Sequence, residues 1–265
     1  MKLLIIGRGR VGRGLHRSLA KSASVRAELA GRTCSPERIA KAEVVVIAVP
    51  DDAIAAVAQD IAPHLGDGVV VLHCAGARGT DELAACGARG AALGVMHPLV
   101  SFPSTRSSPS LRNTTFTVNG GRAAIRASRT IAEACGARVL VATTGDPAYH
   151  AAAALAANGA VGLAFASVEI LERLGFERRA AERAIGGLLQ TVGENVQRLG
   201  VPDALTGPVA RGETQAIAKH RTSLRRVHRG ALLAYDAALP TIVRCAQAAG
   251  LSKRAAAAIL DLRPQ

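Results

Sequence analysis

Three glycines in the run Gly7-Arg8-Gly9-Arg10-Val11-Gly12 follow the apolar stretch Lys2 to Ile6 and precede a helical pattern carrying Leu15 and Leu19. That spacing supports anion binding. In a strand-turn-helix unit Gly7 allows the tight turn, Gly9 lets the backbone approach a pyrophosphate, and Gly12 lets the helix lie close on the sheet. The six residues Gly7, Arg8, Gly9, Arg10, Val11 and Gly12 are therefore expected to hold a dinucleotide, with a ligand-free glycine turn as the alternative. An acidic residue about twenty positions past the glycines binds a ribose 2′-hydroxyl, whereas arginine accommodates a 2′-phosphate. That position here is Arg32, flanked by Thr33 and Ser35, so NADP is expected over NAD. Glu28 argues for NAD if the second strand ends earlier. Val49 and Pro50 close the next strand at its carboxyl edge, where ligands of open parallel sheets bind, and join the cofactor set. Asp52 reads as a helix cap rather than a catalytic acid.

The elements that must position these residues alternate from Met1 to about Ala142. Short apolar runs at Val44 to Val49, Val69 to His73, Leu93 to Met96, Thr115 to Val118 and Arg138 to Val141 are separated by segments such as the helical Asp52 to Leu65. The pattern implies an α/β doubly wound, mostly parallel sheet of Rossmann type. Only ten residues separate Arg32 from Glu43, so the crossover there must be abbreviated. After Thr143-Thr144-Gly145 the character becomes all-α, which places a nucleotide-binding domain at 1–145 and a helical substrate and dimerisation domain at 146–265. Asp146 and Pro147 start a helix of roughly 28 residues that ends at Gly175. Its middle, Ala151 to Val168, carries Asn158 as its one strongly polar residue. Its length raises a membrane span, but Ala and Gly dominate it, and a helix packed closely between subunits or helices fits better. A homodimer is expected, and no membrane association. Further helices are read at about 177–199, 213–229, 230–249 (with Pro240 as a kink) and 252–262.

Composition narrows the function. The 265 residues are 49% hydrophobic, enough for real cores. The net charge of +13 is spread over many arginines, and aromatics are only 2% of the chain, so base stacking and nucleic-acid binding are not expected. The densest basic run, Lys219 to Arg229, reads as a solvated helix face. The charge favours small anionic ligands. Five widely spaced cysteines without a C-x-x-C pair suggest buried free thiols, with neither disulfides nor a metal site. Met1 to Ile6 runs directly into the nucleotide fold, so a cytoplasmic protein is expected.

Several segments together carry a resemblance. They are Gly7 to Gly12, Val45 to Ile54, Val71 to Gly76, His97-Pro98-Leu99, Tyr149 to Ala153 with Asn158, and Leu205 to Gly212. Over nearly its whole length the chain resembles the Rossmann-like NADP oxidoreductases that carry an uncharacterised C-terminal helical domain. Those look like relatives of 6-phosphogluconate and 3-hydroxyacid dehydrogenases, pyrroline-carboxylate and ketopantoate reductases and prephenate dehydrogenases. The resemblance implies hydride transfer and a helical dimerising domain.

It also implies site residues, with one departure. Hydroxyacid dehydrogenases of this superfamily place a catalytic lysine four residues before an asparagine; Asn158 is kept here, but the lysine position is Ala154. One turn earlier on that face stands His150, which reads either as the proton donor or as a polar cap near Pro147. His97 is the competing donor, since the His97-Pro98 pair is similar to a segment of prephenate dehydrogenases that contributes a catalytic histidine. It either touches the substrate carbonyl or fixes the Pro98 loop. His73 is a weaker candidate. Arg211, followed by Gly212 in the loop Thr206 to Gly212, suits bidentate capture of a carboxylate or phosphate, with helix-end or dimer-interface structure as the rival. Thr206 and His220 are its expected neighbours. The leading reading is an NADP-dependent reductase of a small 2-oxo acid resembling ketopantoate, acting in a cleft between the domains with Asn158 orienting the substrate. The alternatives are an imine or pyrroline-carboxylate-type reductase, and a non-catalytic NADP-binding sensor or scaffold.

Overall fold

The computed structural model describes residues 1–104, 106, 108–142 and 145–262. Thr143 and Thr144, where the sequence changes character, lie outside the described residues. The chain divides into two compact units, Met1–Ala154 and Leu155–Gln265.

In the first unit the elements run β1 (Lys2–Ile6), α1 (Arg10–Leu19), β2 (Arg26–Ala30), α2 (Pro36–Ala40), β3 (Val44–Ile47), α3 (Ile54–Ile61), β4 (Val70–His73), α4 (Ala84–Gly87), β5 (Ala92–Pro98), β6 (Thr115–Gly120), α5 (Arg122–Ala134) and β7 (Arg138–Val141). They form a seven-stranded sheet of order β2-β1-β3-β4-β5-β6-β7. Every pairing is parallel except β5 with β6, where His97 lies opposite Thr117. The segment joining those two strands contains no helix among the described residues, so the chain returns antiparallel instead of crossing over. β3 and β4 are continuous apolar runs apart from His73, and all their residues are buried, because helices cover both faces. Alternation along β1 sorts the two cores. Leu3 and Ile5 pack with Leu15, Leu19, Phe116 and Ile131 on one face, and Leu4 and Ile6 pack with Ile39, Ile54 and Ile61 on the other. The abbreviated crossover is α2, a helix of 5 residues.

One local expectation is overturned. Asp52 does not cap a helix: it is the middle residue of the 3-10 turn Asp51–Ala53, whose cap position is Pro50, and no side chain bonds that turn's N–H groups. Pro50 takes the cap position of the turn two residues ahead of Asp52, which leaves Asp52 exposed. The thiols were expected to be buried, but only Cys86 and Cys135 are, while Cys34, Cys74 and Cys245 are half-buried. All five cysteines are free, and burial pushes Cys86 and Cys135 up to about 11, which keeps both protonated and inert.

α6 (Pro147–Arg173) begins in the first unit, and its residues from Leu155 onward belong to the second. There it is followed by α7 (Arg178–Leu199), α8 (Thr214–Val227), α9 (Arg229–Ala248, continuing through Pro240) and α10 (Lys253–Leu260). A core of Val209, Ile217, Leu239, Val243 and Ile259 joins the last three of these to the preceding loop. The basic run on α8 is only partly a solvated face. Arg221 turns inward, its Nε 2.8 Å from Asp236 Oδ1 and its Nη1 donating to the Leu262 carbonyl, so it ties Leu262 to α8 and α9. His228, late in the same run, caps α9 by accepting from the Ala231 N–H at 3.4 Å. The 27 residues of α6 match the expected length, and among the described residues it is the one helix long and apolar enough to cross a membrane. It was expected to be buried, yet within the chain only Val168 is, while Leu155 is 77% and Val161 69% exposed.

Candidate functional site

The carboxyl ends of β1, β3, β4 and β5 share one edge of the sheet, and the sheet order reverses between β1 and β3, where open α/β sheets take their ligands. At that point Gly7 has φ +125°, and a Cβ on it would stand 2.2 Å from the Ala48 carbonyl oxygen. A Cβ on Gly12 would stand 2.0 Å from the Gly7 carbonyl oxygen. Both positions exclude any side chain. Gly9 occupies the cap position of α1 in extended conformation, and no side chain bonds the first N–H groups of the helix. No acidic residue lies in the first turn. Arg8 and Arg10 are exposed, Val11 is half-buried, and Arg13 donates from Nε to the Arg8 carbonyl at 2.8 Å. Open N–H groups, cationic side chains and glycines at the points of closest approach fit a pyrophosphate.

The two residues named in the sequence for the ribose are placed differently. β2 ends at Ala30, so Gly31 and Arg32 are the first residues beyond its carboxyl end. Glu28 lies two positions inside the strand, and Arg38 on α2 donates to it from Nε at 3.2 Å. Arg32, Thr33 and Ser35 are exposed, and no hydrogen bond or ion pair engages Arg32 among the described residues. Val49 is half-buried with a methyl 3.3 Å from the place of a Gly7 Cβ, and Pro50 beyond it is exposed.

Two strands along the same edge, β4 and β5 deliver histidines with different roles. His73 is fully buried: its Nδ1 accepts from the Ala75 N–H at 3.2 Å and its Nε2 lies 2.8 Å from the Gly79 carbonyl. Both ring nitrogens are used, and burial holds the imidazole below its ordinary pKa, so His73 organises the β4 turn as a neutral ring. His97, near the end of β5, is half-buried. Its Nδ1 is 2.8 Å from the Tyr149 hydroxyl, and the Tyr149 hydroxyl in turn hydrogen-bonds the Thr117 hydroxyl. Thr117, 1% exposed on β6, donates to the carbonyl of His97 itself at 3.3 Å. The network is closed. The His97 ring also lies so near Gly76 that a Cβ there would meet it at 2.8 Å, so the turn after β4 is shaped around the imidazole. Burial, and then the charge of His150, hold His97 below the ordinary histidine value. Burial raises Tyr149, keeping its hydroxyl protonated.

His150 is exposed in the first turn of α6, its ring centroid 6.1 Å from that of His97. It is not the cap. Asp146 fills that role, accepting from the Ala148 N–H at 2.7 Å. The remaining expected residues belong to the second unit. Asn158 is exposed on α6, Thr206 is exposed, and His220 on α8 contacts the Tyr235 hydroxyl at 3.2 Å. Arg211 is exposed and bonded through Nε and Nη2 to the Glu213 carboxylate. Sequence reading missed Tyr149, Thr117 and Gly76 as site residues. Tyr149 stands next to a histidine at a helix start, which is a weak signal; Thr117 and Gly76 emerge only from strand pairing.

Two family models match the chain, a Rossmann-like domain over residues 29–98 and DUF2520, a domain of unknown function, over residues 114–238. The second spans β6, α5 and β7 as well as most of the helices, and so includes Thr117 and Tyr149. No curated protein matches. Among solved structures, protein TM1727 from Thermotoga maritima is 26% identical with a TM-score of 0.68, over 93% of this chain and 98% of that one. Pyrroline carboxylate reductase from Plasmodium falciparum, solved with NADP bound, is 14% identical with a TM-score of 0.65 over 98% of both chains. Pyrroline-5-carboxylate reductase from Coxiella burnetii is 17% identical with a TM-score of 0.62, over 94% of this chain and 98% of that one. The last two show a shared fold. The Rossmann-like match falls within the N-terminal sheet unit, and the DUF2520 match runs from the last part of that unit into the helical one.

Proposed function

We propose that the chain is an NADP-dependent oxidoreductase that delivers hydride to the carbonyl of a small 2-oxo acid, ketopantoate being the first compound to assay. One observation carries the reading: the phosphate turn Gly7 to Gly12 and the His97–Tyr149–Thr117 network occupy the same carboxyl edge of the same sheet. The fold shared with two reductases, one solved with NADP bound, supports it. A nicotinamide coenzyme held at the turn supplies the hydride. The chain's own residues have separable tasks. The N–H groups of the turn and Arg32 bind phosphates. His97 exchanges a proton through Nε2 with the substrate oxygen that gains or loses charge. His150 stands beside it, and the net charge of +13 favours an anionic substrate.

A second reading replaces the carbonyl by a C=N bond. The lowered pKa of His97 favours it, because a neutral imidazole donates a proton poorly whereas an imine can arrive already protonated. Calorimetry with NADPH and NADH, followed by NADPH oxidation with a panel of 2-oxo acids and cyclic imines, tests both readings. Binding of NADPH and turnover of a member of one class is expected. Absence of affinity for either coenzyme removes both readings.

A second copy of this chain is proposed to cover α6 and α7. Leu155, Val161, Phe165, Leu188 and Val192 are all more than 45% exposed, and Gly159, Gly162, Gly186 and Gly187 leave room for close helix approach. An apolar face of that extent needs a covering surface, and a two-fold copy supplies one of matching length and chemistry. Sedimentation at micromolar concentration is expected to give a dimer, and Leu155→Glu with Val161→Glu to give a monomer. A wild-type monomer overturns this assignment.

A further inference from the structure

We propose that Tyr149, working through Thr117, is a positioning residue that fixes His97 as its Nδ1–H tautomer and leaves Nε2 as the lone-pair nitrogen for the substrate. The inference rests on the reading of His97 as the proton-exchanging group, but its geometry is independent of any substrate. Three contacts form the closed loop: His97 Nδ1 with Tyr149 Oη, Tyr149 Oη with Thr117 Oγ1, and Thr117 Oγ1 with the His97 carbonyl. A carbonyl can only accept, so the Thr117 hydroxyl spends its single proton there. Thr117 Oγ1 must then accept from the tyrosine hydroxyl, which spends the tyrosine's single proton. The Tyr149 oxygen can therefore only accept from His97, so Nδ1 carries the hydrogen. Any other assignment leaves one of the three contacts without a proton, and Thr117 is too deeply buried for water to supply one.

His97 and His73, on neighbouring strands, thus hold opposite tautomers. At His73 the Ala75 N–H donates to Nδ1, which puts the ring hydrogen on Nε2 toward the Gly79 carbonyl. His73 has no nitrogen left for chemistry, whereas Nε2 of His97 has no hydrogen-bond partner among the described residues. Free histidine in water prefers the Nε2–H form, so the state assigned to His97 is one the surroundings must impose.

Nitrogen-15 NMR of the ligand-free full chain tests the assignment without any substrate. The His97 signals are identified by their loss in His97→Asn. In the wild type at pH 8 the Nδ1–H form is expected in about tenfold or greater excess, the ratio a single buried hydrogen bond can enforce. Thr117→Val leaves the tyrosine hydroxyl without an acceptor, so it turns to donate to Nδ1 and the tautomer inverts to Nε2–H. Thr117→Ser keeps the wild-type pattern, and Tyr149→Phe releases His97 to the preference of free histidine. A wild-type spectrum dominated by Nε2–H overturns the proposal, as does an unchanged tautomer in a folded Thr117→Val protein. A wild-type Nδ1–H spectrum from a protein that turns over no oxo acid or imine leaves the tautomer assigned and removes only the catalytic reading.

Discussion

His97→Asn is expected to lower kcat for carbonyl reduction by about 10²- to 10⁴-fold, the usual weight of a positioned proton donor, while leaving the Kd for NADPH unchanged. The separation follows from placement: His97 sits at the end of β5, whereas the phosphate turn follows β1, and the order β1-β3-β4-β5 puts two strands between them. Wild-type pH dependence gives the sign independently. Burial and His150 hold the His97 pKa below 6.5. Carbonyl reduction needs the protonated ring, so its rate falls as pH rises through that pKa. Alcohol oxidation needs the free Nε2 lone pair and gains rate over the same interval. Asparagine in place of His97 flattens both limbs. For a C=N substrate the outcome differs: the profile follows protonation of the imine, and His97→Asn costs little. Unchanged kcat with a 2-oxo acid removes His97 from the chemistry.

Much of the fold is legible in residue order because the signals are local. The run Lys2 to Ile6 followed by spaced glycines specifies β1, the turn and α1, and ten residues between Arg32 and Glu43 leave room for little more than the short α2. The misplaced cap at Asp52 is also a local matter, since Pro50 had already claimed the cap position. Pairing is another matter. That His97 faces Thr117 depends on an antiparallel return after the helix-free segment joining β5 and β6, and that His97 reaches Tyr149 depends on contacts 52 residues apart. Neither distance has a counterpart in periodicity or spacing. The exposure of α6 has the converse cause. Its apolar pattern reads as a helix to be packed away, yet within this chain only Val168 is buried, and periodicity does not say what meets the rest. Arg221 shows the same limit, because charge in a run says nothing about which member finds Asp236.

Arg32→Ala is expected to raise the Kd for NADPH by about 10- to 100-fold and to leave the Kd for NADH nearly unchanged, which collapses the preference between the coenzymes. The magnitude is that of losing one or two charge-assisted hydrogen bonds to a phosphate, each worth about 1.5–3 kcal/mol when well formed and less at an exposed position. The position singles out Arg32 among the many arginines: it lies just beyond the carboxyl end of β2, where the ribose of a dinucleotide bound at Gly7 to Gly12 is read. Its competitor is already spent. Glu28, which would bind ribose hydroxyls and repel a 2′-phosphate, lies inside the strand and is held by Arg38. Two controls follow from that pairing. Glu28→Gln should leave the NADPH to NADH ratio where it was, and Arg38→Ala should weaken NADPH far less than Arg32→Ala does. Added salt should weaken NADPH binding in the wild type more steeply than in Arg32→Ala, since the variant has lost a screened charge contact. An unaltered ratio in Arg32→Ala, measured by calorimetry with both coenzymes, would falsify the assignment of a 2′-phosphate site to this strand end.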